Sequence, residues 1–174
     1  ANAVRRGEIG LIGASGTGLQ QVSCLIDGAG AGVSQAIGVG GRELDARVGG
    51  AMMLAALRRL DADPGTRVIV LISKPPAAEV AGRVLEAAGA LVTPVVVNFL
   101  GGDPAAIREQ GLVPARTFEA AARAAVALSR GAPAGDDPGD GAADTITTSR
   151  PVADAIARLR PGQWRIRGLF AGGS

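Results

Sequence analysis

A three-layer α/β fold around a five-stranded parallel sheet is what this sequence predicts, on three observations. Short runs of Val, Ile and Leu recur along the chain, and longer Ala- and Leu-rich segments separate them. Parallel strands joined by crossover helices alternate in this way. The runs are nearly continuous in apolar residues, as expected of strands covered on both faces.

The elements follow in order. A first strand is expected at residues 9–13, then a helix at 19–28, a strand at 34–39 and a helix at 50–62. A third strand at 68–72 leads to a helix at 77–89, and a fourth strand occupies 95–100. A short fifth strand around 112–115 precedes a helix at 117–130, with Thr117 as its N-cap, Leu128 closing its apolar face and Gly131 placed to stop it. The simplest strand order for such a chain is flavodoxin-like, giving one domain over 1–130.

The linker is expected over 131–149, opening with "GAPAGDDPGDG", a composition that cannot bury enough apolar surface to order itself. Beyond it, 150–159 reads as a helix with Pro151 in its first turn, and 164–170 as a strand running into "AGGS". That ending echoes the opening "EIGLIGASG", so 150–174 is expected to be the start of a second, similar domain, or else a C-terminal strand. "ANA" at the start is compatible with a tag remnant.

Composition narrows function mainly by exclusion. The chain has 174 residues, 47% apolar and only 2% aromatic, with a net charge of +2 and scattered arginines. It shows neither a basic patch nor aromatic platforms for nucleic acid. No apolar run is long enough to span a membrane, no signal peptide is visible, and the lone Cys24 suits a reducing cytoplasm. There is no histidine, which removes Ser-His-Asp and Cys-His pairs, phosphohistidine and imidazole metal ligands within these residues. Cys24, Met52 and Met53 are expected in the core, and Glu79, Glu86 and Glu119 on solvated helix faces.

The loops at the strand ends carry what chemistry there is. "IGLIGASGTGLQQV" has the two glycines of a Walker loop, Gly13 and Gly18, but Leu19 and Gln20 follow where Lys and a hydroxyl are needed. It lacks the dinucleotide spacing and an acidic ribose partner, and Thr17 occupies the last position of a nucleophile elbow around Ser15. A strand end, a tight turn and a helix start still bring backbone N–H groups to one point. Ser15, Gly16, Thr17 and Gly18 either cradle a phosphate or carboxylate there, or simply cap and pack the helix. Two further loops are expected at the same crevice: "GVGGR", with Gly40, Gly41 and Arg42, and "SKPP", with Ser73 and Lys74. Lys74, the one lysine beside seventeen arginines, is either a positioned cation or an ordinary loop charge. Asp103 in "GGDP" caps a helix or contacts ligand. A nicotinamide or flavin protein has only fold analogy behind it.

Read in order, "GASGTGLQQV", "SQAIGVGGR", "VGGAMMLAAL", "VIVLISKPP" and "PVVVNFLGG" resemble the first domain of the FdrA family, relatives of the succinyl-CoA synthetase alpha subunit. The resemblance covers about residues 7–102 and continues more loosely to 130, and the closing "RGLFAGGS" is similar to the start of the second domain of such proteins. It implies a succinyl-CoA synthetase type of domain and an acyl-CoA synthetase (ligase) relative, with Ser15, Gly16 and Thr17 opening the helix that points at the active-site phosphate. The relatives' phosphorylated histidine has no counterpart, and Ser73, Lys74 and Pro75 stand where they carry a glutamate loop. The family also implies carbamoyl transfer in oxamate and allantoin breakdown. Candidate ligands are therefore CoA or carbamoyl phosphate, and candidate partners are other domains or subunits of one enzyme complex, with a homodimer also compatible. A domain of this kind is expected to be inactive alone; a binding or scaffold module that has lost its chemistry is the other expectation.

Overall fold

The computed structural model describes residues 3–135 and the pair 157–158. The chain runs β1 (Arg6–Gly13), α1 (Gly16–Gly28), β2 (Val33–Gly38), α2 (Ala51–Asp61), β3 (Val68–Ser73), α3 (Ala78–Gly89), β4 (Val95–Phe99), α4 (Pro104–Glu109), β5 (Val113–Pro114) and α5 (Phe118–Ser129). The strands form one parallel sheet in the order β2-β1-β3-β4-β5, the flavodoxin-like arrangement expected. Because β2 lies on one side of β1 and β3 on the other, the winding reverses between β1 and β3. Crevices for ligands form outside the carboxyl ends of strands at such a reversal.

Period-two alternation decides which layer each side chain enters. In β3, Val68, Val70 and Ile72 join a core with Val22 and Ile26 of α1 and the alanines of α5, while Ile69 and Leu71 face Met53, Leu57 and Leu60 of α2 and Val80 and Val84 of α3. Every residue of β3 and β4 is buried. Each fully buried Ile, Leu or Val contributes about 1.5–3 kcal/mol of hydrophobic stabilisation, so these two central strands anchor the sheet.

Some boundaries differ from expectation, for local reasons. Helix α1 begins at Gly16 rather than at residue 19, so the glycine stretch is its first turn and not a loop before it. Ser15 is extended, at φ −137° and ψ 112°, and caps that turn. The short helix α4 is an addition: Asp103 accepts from the Ala105 N–H at 2.9 Å and Pro104 supplies the first helical residue, which settles Asp103 as a cap. Thr117 caps α5 as expected, accepting from the Ala120 N–H at 3.1 Å. At its other end Gly131, at φ +75°, lets the Ala132 N–H reach the Ala127 carbonyl at 3.0 Å and closes the helix.

Two core assignments are overturned. Cys24 is exposed, because it stands two residues from both Val22 and Ile26, the buried stripe of α1, and therefore on the other side of the helix. Met53 is fully buried, but Met52 is 58% exposed, since the buried face of α2 runs Met53, Ala56, Leu57 and Leu60 and Met52 precedes it by one residue. Glu79, Glu86 and Glu119 are exposed as expected. The expectations for 136–149, 150–156 and 159–174 lie outside the described residues.

Candidate functional site

The site is built where β1 and β3 end side by side. The Ala14 N–H donates to the Ile72 carbonyl at 2.9 Å, carrying the β1–β3 pairing to the last residue before the cap. Next comes Ser15, buried, whose Oγ accepts from the Gly18 N–H at 3.2 Å and lies 3.3 Å from Thr17 Oγ1. The N–H of Gly18 is therefore already used, which removes it from the predicted cradle. Those of Gly16 and Thr17 have no partner among the described residues. No acidic residue stands in this first turn, so the positive end of α1 is left uncompensated.

The glycines have separate duties. A Cβ on Gly13 would stand 2.5 Å from Leu19 Cγ, and one on Gly18 would stand 2.7 Å from Ile72 Cγ2, so both are required by packing. A Cβ on Gly16 would meet nothing within 4 Å. Gly40 is held at φ +97°, a left-handed conformation that side chains rarely adopt, and it starts the turn that leads through Gly41 and Arg42.

The expected site residues fall into two adjoining cavities. One, about 390 Å³, is lined by Ser15, Ile72, Ser73, Lys74, Asn98 and Leu100 together with the start of α5, Arg116 to Glu119. The other, about 560 Å³, is lined by Gly41, Arg42, Leu44 and Asp45 and again by Ser73 and Lys74, with Pro75 and Pro76 behind them. Gly16, Thr17, Gly18 and Gly40 line neither cavity; Gly16, Thr17 and Gly40 are exposed close by in sequence. The segment from Ser73 to Ala77 lines the second cavity throughout, and its first two residues, Ser73 and Lys74, line the first as well. Its ends are tied to the neighbouring loops: the Leu100 N–H donates to the Ser73 carbonyl at 3.0 Å, and the Ala77 N–H donates to the Leu44 carbonyl at 2.9 Å.

Charge and hydrogen bonding distinguish the cavities further. Lys74 and Arg42 are exposed, and neither makes a salt bridge among the described residues. Asp45, in the second cavity, is held below the ordinary carboxylate value by the Arg47 backbone N–H, with the charges of Arg47 and Arg42 adding to the effect. Ser73 is 5% exposed, and its hydroxyl has no hydrogen-bond partner among the described residues. Among the described residues no group of His, Cys, Asp and Glu could hold a metal ion.

Two contributors escaped the sequence reading. Glu43 is a buried carboxylate whose Oε1 accepts from the Met52 and Met53 N–H groups, capping α2 from outside the helix, since the Gly50 N-cap has no side chain to do it. This fixes the loop that carries Gly41 and Arg42. Asn98 lies in β4 opposite Ile72, and its amide donates to the Ala115 carbonyl at 2.8 Å. A polar residue inside the otherwise apolar "PVVVNFL" was the available signal.

A parallel α/β sheet with open strand-end cavities at its winding reversal defines the class: a three-layer α/β domain of the flavodoxin-like type. The particular family follows from comparison, since the CoA binding domain model matches residues 4–101. The chain belongs to the CoA binding domain family. It is 51% identical over 174 residues to YahF, an uncharacterized protein of Escherichia coli (strain K12), in an alignment taking in 99% of this chain and 32% of that protein. The chain thus spans about a third of the length of that relative. In fold it is similar to the dinucleotide-forming acetyl-coenzyme A synthetase 1 of Ca. Korarchaeum cryptofilum, both in complex with phosphate and ADP and in the apo form. Each has a TM-score of 0.56 at 21% identity, covering 73% of this chain and 31% of that one. No described helix is long and apolar enough to cross a membrane.

Proposed function

We propose that this domain binds CoA, or a similar phosphate-bearing ligand, across the strand-end cavities, as part of an FdrA-type relative of the acyl-CoA synthetases that works without a phosphohistidine. The observation that carries the reading is the junction of the cavities. A buried Ser73 hydroxyl without a partner and an unpaired Lys74 face the same space as the capped start of α1, whose Gly16 and Thr17 N–H groups are free. Unspent donors and an unspent cation at a helix N-terminus suit an anion.

The second cavity adds Arg42 to Lys74. Two cations on one small space also suit a carbamoyl phosphate or an oxamate carboxylate, the ligands the FdrA resemblance implies. Such transfer relies on positioning and charge neutralisation more than on an imidazole base. Catalysis on this reading is completed by other domains or subunits, and the domain supplies binding.

Thermal unfolding of the purified chain with CoA, carbamoyl phosphate, oxamate or inorganic phosphate tests this. A ligand at about a hundredfold excess over its Kd adds about 2.7 kcal/mol to stability. CoA is expected to raise the midpoint, and Gly16→Trp, which enters open space, is expected to abolish the shift while the fold remains. A shift by carbamoyl phosphate or oxamate alone would move the assignment to carbamoyl transfer. No shift with any ligand would sink the anion-site reading for this chain.

A further inference from the structure

The two edges of the sheet are finished differently, and from that difference we infer that the free edge of β2 is a self-association surface, on which a second copy of this chain pairs antiparallel across a two-fold axis. At the other edge, β5 is two residues long. The Ala115 N–H donates inward to the Val97 carbonyl at 2.9 Å, so the outward residue is Pro114, which has no N–H to offer a further strand. β2 has six residues, Val33–Gly38, without a proline or a charged side chain, so none of the usual devices blunts it. The Val39 N–H donates to the Gly13 carbonyl at 3.0 Å, and Ile37 stands opposite Ile12. Main-chain groups alternate sides along a strand, so those of Ser34, Ala36 and Gly38 point away from β1. They have no hydrogen-bond partner among the described residues, and Ala36 and Gly38 are exposed.

A second copy is the occupant that these edges allow. Head-to-tail pairing of β2 on β5 would propagate without closing, and Pro114 denies it; β2 against β2 is isologous and closes as a pair. With Ala36 opposite its own copy, Ser34 falls opposite Gly38, and in each such pair the two outward residues exchange both main-chain bonds. Charge permits the approach, because β2 brings no charged side chain to the axis and no like charges meet there. Apolar side chains flank the edge on both faces and are only half-buried: Leu19 on the α1 side, and Ile37, Val39 and Leu54 on the α2 side. A stable interface needs about 1,000 Å² of buried surface. The ladder supplies directional bonds, and these side chains supply apolar area. None of these residues lines either strand-end cavity, so the surface is separate from the candidate ligand site.

Sedimentation equilibrium over a concentration series reads the mass, expected to reach twice the 17.2 kDa of one chain. Ala36→Lys and Ala36→Glu each set like charges against each other across the axis, and each is expected to weaken pairing about tenfold. An equimolar mixture of the two variants sets Lys against Glu and is expected to restore the paired mass. Because Ala36 is exposed and its N–H points away from β1, both variants should keep the wild-type far-UV spectrum. Hydrogen exchange adds a readout by residue: the amides of Ser34, Ala36 and Gly38 should exchange slowly in the pair and fast on dilution. A wild-type chain that stays monomeric throughout, a single variant that pairs as the wild type does, or a mixture that stays monomeric would each overturn the inference. So would slow exchange at these three amides that persists on dilution, since that assigns the edge to another segment of the same chain.

Discussion

Gly18 lies directly against Ile72: a Cβ added to this glycine would stand 2.7 Å from Ile72 Cγ2, with Phe118 Cζ and Ser15 Oγ each at 3.2 Å. Two residues earlier, Gly16 faces open space. One glycine therefore lets α1 settle on the sheet, and the other leaves room outside it.

These two positions are expected to respond in opposite directions. Gly18→Ala should cost about 1–3 kcal/mol, the usual range for overfilling a packed site, because Ile72 is fully buried and cannot swing away. Gly16→Ala should be neutral or stabilising by about 0.4–1 kcal/mol through the unfolded chain. Urea unfolding of both variants checks this, and a destabilised Gly16→Ala would show that the open face is not open.

Lys74→Ala should leave stability within about 0.5 kcal/mol, as expected for an exposed side chain without an ion pair. Its affinity for CoA should fall, and the salt dependence of binding should become shallower, because one cation facing the ligand is gone. Titrations at two ionic strengths measure both effects. Ser15→Ala separates differently: it loses the cap of α1 and should cost about 0.5–2 kcal/mol of stability whether or not ligand is present.

Glu43 holds α2 and the Arg42 loop together, so truncating it acts on both. Glu43→Ala leaves the Met52 and Met53 N–H groups without their acceptor, at about 1.5–3 kcal/mol for bonds to a charged group. Glu43→Gln retains an acceptor oxygen and should recover much of that. Guanidinium unfolding of the pair tests the capping role; equal losses in both variants would mean that the charge matters and the geometry does not.

Acid should weaken the opposite end of the sheet. The carboxyl of Asp63 is held below its ordinary value of 3.8 by the Gly65 N–H first, then by the Thr66 hydroxyl and the Gln35 amide. A carboxylate with a depressed folded pKa binds fewer protons folded than unfolded, so its contribution is complete above 3.8 and is lost as pH falls through the folded value. Asp63→Asn should therefore flatten the decline in stability below that pH. An unchanged acid limb in Asp63→Asn would assign the decline to Asp27 and Asp45, which are lowered in the same direction.

The layers were legible because they rest on short-range periodicity. Continuous apolar runs gave β3 and β4, and Thr117 and Gly131 bounded α5 by cap chemistry that needs only neighbouring residues. Cys24 and Met52 were misplaced although the information was present, since counting two residues from Val22 or one from Met53 moves each off the buried stripe. Asn98 and the start of α5 belong to another category. Their meeting with Ser15 depends on strand order and on how far α5 reaches over the sheet, and neither follows from spacing along the chain. The glycine stretch likewise announced a tight approach but not which glycine made it; only the position of Ile72 decides that.

The Ser73–Ala77 segment is braced at both ends, by Leu100 just after β4 and by Leu44 from the loop before α2. Arg42 lines only one of the two cavities beside this segment and Asn98 only the other, so a single ligand touching both would have to span them. On the proposed reading, a short anion would occupy one cavity and gain only that cavity's contacts. Discrimination between small phosphates and an elongated carrier would then be a matter of span, set by backbone bonds that no single side-chain substitution in either compartment removes.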